Sequence, residues 1–400
     1  MNRLLVVGPS VRWLMQSSLR AGFQPMGIDF FADVDATEVG EVVRVRQWAE
    51  VPAVAAALRP QAVLVGGGFE TQVAMVEGLR QQVPVWNLGR DCCAALRDPA
   101  QWATAFASAG VRVPEHRGEG ELNEALDLAK RWLVKQRYRA GGAGVRLLGT
   151  DEAGRWLTGA EASGSPEYLQ EMLAGVPSSA LFLLGPDRFV CLGFYRQLCG
   201  WREFGAAGYQ YCGGIGPLPV TDRQVAQLNS LGRGLLTLGG RGVIGVDVLA
   251  VGDELCPIEV NPRITASGEL WERAELGSSL VGLHAAEFAV GAGWPAGISS
   301  QAEHRNLPGC RLLANADRPR VHGKAILYWS DAGGLEIDAR RSEWLVQGAV
   351  AGWLADIPQC GSRIERGEPV VTLLTSGDSE SAVVEELVQL ATELRLRLAS

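Results

Sequence analysis

The chain has 400 residues, 47% of them hydrophobic and 20% charged, which allows two or three domains with buried cores and excludes a disordered chain. A formal net charge of −8 argues against nucleic acid or an anionic membrane as partner, and no apolar run reaches the roughly 18 residues a membrane span needs. The eight cysteines form no CxxC pair and the four histidines no ligand-spaced cluster, so free thiols in a reducing cytoplasm are expected rather than a zinc site.

In chain order, the opening "MNRLLVVGPS" reads as a first strand and turn, not as a signal peptide. Apolar strands are expected at 3–7, 24–28, 62–65 and 83–86, alternating with helices at 11–20, 52–58 and 71–81. Such alternation predicts a parallel, Rossmann-like layer over residues 1–100. The first turn, "GPS", lacks a GxGxxG fingerprint. The second, "GGGFE" at 66–70, either offers backbone amides to a carboxylate or phosphate or is a tight structural turn. Both readings stand.

Beyond residue 100 the pattern changes to α+β. Helices are expected at 99–109, around 122–131 and at 222–238, with paired strands at 242–251 and 255–260. Helical segments run on to about 291, "GAGWPAGISS" (291–300) reads as a linker, and residues 301–400 form a small α+β domain. Its expected elements are strands at 325–329 and 370–374 and a last helix at 382–398.

The hairpin carries the first chemical signal. With a three-residue turn at 252–254, Val251 faces Leu255 and Asp247 faces Glu259. Like charges facing each other on one side of a strand pair destabilise it. Asn261 and Arg263 follow at alternate positions, on the same side of the strand as Glu259. A hard divalent cation held by Asp247, Glu259 and Asn261 removes the repulsion, and Mg²⁺ binds such sets together with substrate phosphates. The alternative is a solvated acidic strand face, which the flanking VIGV, VL and CPI residues disfavour.

The second signal is a lysine. Only three (Lys130, Lys135, Lys324) stand against 34 arginines. Lys135 lies in the apolar strand of "WLVKQRYRAGGAGVRLL" (132–148), just before Gly141, Gly142 and Gly144. A glycine loop brings backbone N–H groups against phosphate oxygens, and an ammonium supplies a compact cation.

Lysine strand, glycine loop and acidic hairpin in this order resemble the ATP-grasp superfamily. The resemblance covers most of the chain. It implies a Rossmann-like pre-ATP-grasp domain (1–100) and two lobes closing on ATP (101–300). On this resemblance Lys135 and Gly141, Gly142 and Gly144 hold phosphates. Gln170, Glu171 and Leu173 of "YLQEMLAGVPSS" hold adenine and ribose. Asp247, Glu259 and Asn261 hold Mg²⁺ or Mn²⁺, and Arg263 contacts reacting oxygens, with Lys135 and Arg263 as the catalytic pair. One departure is plain. Many members carry a phosphate-contacting lysine in a "DK" dipeptide, where this chain reads "LRDPAQW". Either Arg97 replaces it or the contact rests on Lys135 alone.

The resemblance implies a cytoplasmic, ADP-releasing carboxylate–amine ligase that works through an acyl phosphate. Its partners would be small-molecule acids and amines, with a homodimer left open. "GKAILYW" and "WLADIPQCGSRIERGEPVVTLLTSG" are similar to the tail of a biotin-carboxylase-related group that includes tyramine–glutamate ligase. That implies ligation of an amino acid such as glutamate in methanopterin- or methanofuran-type cofactor synthesis. A biotin-carboxylase-like reaction and a non-catalytic nucleotide-binding module are the alternatives. Arg196, Gln197 and Tyr211 are candidate acceptor contacts or ordinary strand surface.

Overall fold

The computed structural model describes residues 2–118, 127, 129–149, 167–289 and 320–399. The first unit is a four-stranded parallel sheet, order β3-β2-β1-β4, of β1 (Arg3–Val7), β2 (Gln24–Asp29), β3 (Val42–Arg44) and β4 (Ala62–Val65). Leu4 to Val7 and Ala62 to Val65 are buried on both faces, so these strands read as unbroken apolar runs. Helices α1 (Arg12–Arg20), α2 (Val34–Thr37), α3 (Val51–Leu58) and α4 (Val73–Arg80) connect the strands. The strand expected at 83–86 shrinks to a single bridge between Val85 and Val63. Pro84 has no N–H to continue the ladder.

Two short helices, α5 (Arg90–Arg97) and α6 (Pro99–Ser108), lead into the lobes. Asp98 ends the first and caps the second, its carboxylate accepting from the Ala100 N–H at 3.2 Å, with Pro99 preset for the first helical position. The small lobe is an antiparallel sheet, order β5-β8-β6-β7: β5 (His116–Gly118), β6 (Trp132–Gln136), β7 (Arg146–Leu147) and β8 (Glu167–Glu171). The helix expected around 122–131 lies almost wholly outside the described residues, as does the linker at 291–300.

The large lobe holds β9 (Val176–Leu184), β10 (Phe189–Cys199), β11 (Tyr211–Gly216), β12 (Gly242–Val251) and β13 (Glu254–Asn261). Helices α7 (Asp222–Thr237), α8 (Ser267–Ala274) and α9 (Leu280–Phe288) accompany them. A reciprocal capping box between Thr221 and Gln224 starts α7. The tail adds β14 (Val321–Tyr328), α10 (Ala339–Val350), β16 (Leu354–Ala355), β18 (Pro369–Gly377) and α11 (Glu380–Ala399). A separate two-stranded ribbon joins β15 (Leu335–Glu336) to β17 (Arg363–Ile364). Beyond that ribbon, the described strands of the tail build no sheet of their own beside the lobe. Strands β14, β18 and β16 continue the lobe sheet into eight strands, order β13-β12-β9-β10-β11-β14-β18-β16. Among the described residues no helix is long and apolar enough to cross a membrane.

Where the three parts meet, charges are buried together. Arg12 Nη1 lies 2.7 Å from Glu269 and Arg12 Nε 2.9 Å from Asp356, while Lys324 Nζ lies 2.6 Å from Glu269. Asp356 has a left-handed backbone (φ 57), and Asp35 accepts its N–H and that of Ile357 at 2.8 and 2.9 Å.

Candidate active site

The acidic hairpin places Asp247 opposite Glu259, but not by the three-residue turn expected. Val251 pairs with Glu254, so the turn is the two residues Gly252 and Asp253, which alone would shift the register by one. The shift is undone between Val248–Pro257 and Asp247–Glu259, where Ile258 is the extra residue of a bulge. Pro257, on the edge strand β13, lacks the N–H that regular pairing would use. The bulge also turns the Ile258 carbonyl to work: it accepts from Lys135 Nζ at 3.3 Å and from Gln170 Nε2 at 3.0 Å. One irregularity therefore aligns the carboxylates and ties the small lobe to the large one.

Asp247 is half-buried and held by two side chains. Gln197 Nε2 donates to its Oδ1 at 2.8 Å and Asn261 Nδ2 to its Oδ2 at 3.0 Å. Even so, burial and then the Glu259 charge push its carboxyl up to about 7. Asp247 is left short of positive charge, its two hydrogen-bond partners being neutral amides. Two carboxylates and an amide oxygen are hard donors, so the residues present fit a divalent cation such as Mg²⁺. Among the described residues no cluster of three or more His, Cys, Asp or Glu is placed to hold a metal, and this set of two acids and an amide falls outside that pattern.

Lys135 is 6% exposed on β6, and burial lowers its pKa against the raising influence of Glu259 and Asp247. The loop after it has φ of 68, 79 and 76 at Gly141, Gly142 and Gly144, conformations that favour glycine. At Gly142 a Cβ would overlap the Tyr209 carbonyl, and the Tyr211 N–H donates to the Gly141 carbonyl at 3.0 Å. The loop is docked onto the large lobe.

Gln170, Glu171 and Leu173 line the same cavity at the hinge between β8 and β9. Gln170 also lies 2.8 Å from His116 Nε2, whose pKa falls to about 3 through burial and then Lys135, so the imidazole is neutral. Arg263 does enter the cavity, and its partner was not foreseen. Its Nε and Nη2 make a two-pronged contact with both oxygens of Glu70, each 2.8 Å. Glu70 comes from "GGGFE" in the first unit, 193 residues away, and is 1% exposed. Burial opposes both charges, but each outweighs it for the other: Glu70 is held below the usual carboxylate range and Arg263 above its own. No local pattern marks this role, because it exists only once the units meet. Arg196 points elsewhere, 2.5 Å from Glu380, while Gln197 serves Asp247 and Tyr211 lines the cavity.

Two cavities result. One, of about 370 Å³, is lined by Lys135, Gly141, Gln170, Leu173, Asp247, Glu259 and Asn261 among others. The second, of about 900 Å³, lies among the first unit, the large lobe and the tail, with Trp13, Trp48, Gly67, Lys324 and Asp356 in its walls. Gly141, Gly142, Tyr211, Arg263, Thr265 and Ala266 border both. The glycine loop and Arg263 form their common wall.

Comparison with known proteins agrees with this architecture. Residues 97–267 match the family described as ATP-grasp domain. N5-carboxyaminoimidazole ribonucleotide synthetase from Thermus thermophilus superposes with a TM-score of 0.65 at 17% identity, over 99% of this chain and 98% of that one. The biotin carboxylase domain of Hydrogenobacter thermophilus 2-oxoglutarate carboxylase gives 0.67 at 14% identity, over 96% and 88%. L-amino acid ligase from Bacillus licheniformis gives 0.66 at 13%, over 98% and 97%. At these identities the likeness establishes the fold. No curated protein matches the chain. Residues 97–267 thus carry an ATP-grasp domain.

Proposed function

We propose that this chain is an ATP- and Mg²⁺-dependent carboxylate–amine ligase that works through an acyl phosphate. The observation that carries the reading is the common wall of the two cavities, where Arg263 and the glycine loop stand between a nucleotide-sized space and a larger one. Lys135 and the loop amides would hold phosphates, with Gln170, Glu171 and Leu173 along the base and ribose. Asp247, Glu259 and Asn261 would hold the metal, which when bound supplies charge neutralisation of the transferring phosphoryl group. Arg263, kept rigid by Glu70, faces the oxygens between the two substrates. An oxygen of the acid attacks the γ-phosphorus and ADP leaves. The amine then attacks the acyl carbon, phosphate departs with that oxygen, and a proton is released. No Ser or Cys nucleophile is required.

In this reading residues 1–100, 101–300 and 301–400 act as three units, the last two sharing one sheet. The narrower version, supported by the likeness of the tail, joins an amino acid such as glutamate in methanopterin- or methanofuran-type cofactor synthesis. The test is a screen of amino acids and amines for ADP release, followed by turnover with ¹⁸O-labelled acid. One label is expected in the phosphate. AMP and pyrophosphate as products would point to adenylation, and ADP release that depends on bicarbonate would replace ligation by carboxylation.

A further inference from the structure

The dipeptide "RD" at 97–98 stands where a "DK" lysine was expected to reach phosphate, and its geometry assigns Arg97 another task. Arg97 ends α5, is 7% exposed, and lies outside the lining of both cavities. Its four terminal N–H groups are all committed. Nη1 donates to Glu259 Oε1 at 2.5 Å and to the Val260 carbonyl at 3.2 Å. Nη2 donates to the carbonyls of Arg137 and Arg139 at 2.9 and 3.0 Å. Asp98 grips the same stretch from the side, its Oδ1 3.0 Å from Arg137 Nη1. Residues 137–139 are the root of the glycine loop. Only Nε–H, buried and without a partner, is uncommitted, so a phosphate contact through the forked end of the guanidinium would have to break bonds that already hold the acidic hairpin and the loop together.

We infer that Arg97 is a positioning residue: it sets the Glu259 carboxylate for the divalent cation and fastens it to the root of the glycine loop, so that metal binding and loop order are coupled. The inference rests on the metal-dependent reading above, and it leaves phosphate contact to Lys135. It also explains why arginine stands here. A planar fork reaches a carboxylate on one side and two carbonyls on the other, whereas an ammonium is a single point with three donors.

Arg97→Lys separates the two roles, because it keeps the charge and loses the fork. In the full-length protein without nucleotide, Mn²⁺ binding is measured by calorimetry and backbone exchange at 137–145 by hydrogen–deuterium exchange. Arg97→Lys should weaken Mn²⁺ binding about tenfold, as loss of a ligand-orienting partner does, and speed exchange at 137–145. Metal-free ATP affinity should change by less than about twofold. In the wild type, Mn²⁺ alone should slow exchange at 137–145, and in Glu259→Gln it should not; this arm needs no change at Arg97. The inference is overturned if Arg97→Lys leaves Mn²⁺ affinity and loop exchange at wild-type values. It is equally overturned if Arg97→Gln loses metal-free ATP affinity and Arg97→Lys restores it, the mark of a phosphate contact. Wild-type protein that binds no Mn²⁺ sinks the metal reading and this inference together, whereas intact Mn²⁺ binding with an unresponsive loop sinks this inference alone.

Discussion

Two clusters of buried charge lie in this molecule, and they are built to opposite ends. At the junction of the three parts, Arg12 and Lys324 flank Glu269, and Arg12 also grips Asp356. Burial works against each carboxylate, yet the cations outweigh it and hold Glu269 and Asp356 below the usual carboxylate range. Asp33, pushed up to about 9 by burial and then by Asp356, and Asp35, raised by burial and then by Asp356, stand at the edge of this matched set. At the hairpin the balance fails: Asp247 rises to about 7 although Lys135, Arg97 and Arg263 are near. A cluster that satisfies itself holds a fold together. One left short of positive charge is poised for a ligand that brings it.

The comparison is broken most severely at the hairpin. Asp247→Asn combined with Glu259→Gln should abolish ADP release, since the donor set loses both charges that a cation needs. The fold should survive, because the like-charge repulsion disappears with them and an amide oxygen at position 259 still accepts from Arg97, whose other bonds to backbone carbonyls remain. Turnover near wild type would remove the metal assignment. A large fall in melting temperature would make the hairpin a second structural cluster and erase the contrast. At the junction the expectation reverses: Arg12→Met should cost about 3–5 kcal/mol in urea unfolding, because it strands buried Glu269 and Asp356 with too little positive charge. A loss below about 1 kcal/mol would show the junction to be as loosely held as a surface pair.

The same contrast governs what could be read from residue order. Short-range features were legible: the buried runs at 3–7 and 62–65, the helix 222–237, and a lysine strand leading to a glycine loop all follow from local pattern. The facing of Asp247 and Glu259 was reached by a turn the structure does not use, and only the Pro257 bulge makes both routes end alike. The partners of Glu70 and Arg97 were out of reach, because they lie 193 and 162 residues away in sequence. Lys324 was not. In a chain with three lysines, the scarcity that singled out Lys135 applies equally to this second buried one, 4% exposed in the wall of the larger cavity.

The smallest effect, and the sharpest on sign, is in pH. The folded state holds the Asp247 proton up to about 7, while the unfolded chain gives it up near 3.8. Between those values the native state binds more protons, so this residue's contribution to stability falls as pH rises and is gone above about 7. Glu269 runs the other way. Its folded pKa lies below the unfolded one, so its contribution is present above the usual carboxylate range and lost as pH falls. Melting temperatures of Asp247→Asn and Glu269→Gln, each against wild type at about pH 5 and pH 8 without metal, separate the two. Asp247→Asn should gain on the wild type across that interval, because the wild type alone must bury a charge there. Glu269→Gln should lag at both ends, and the lag should shrink only as pH is taken down through the carboxylate range. If Asp247→Asn instead loses ground as pH rises, its carboxylate is stabilised like that of Glu269. The hairpin would then have positive charge enough without a cation.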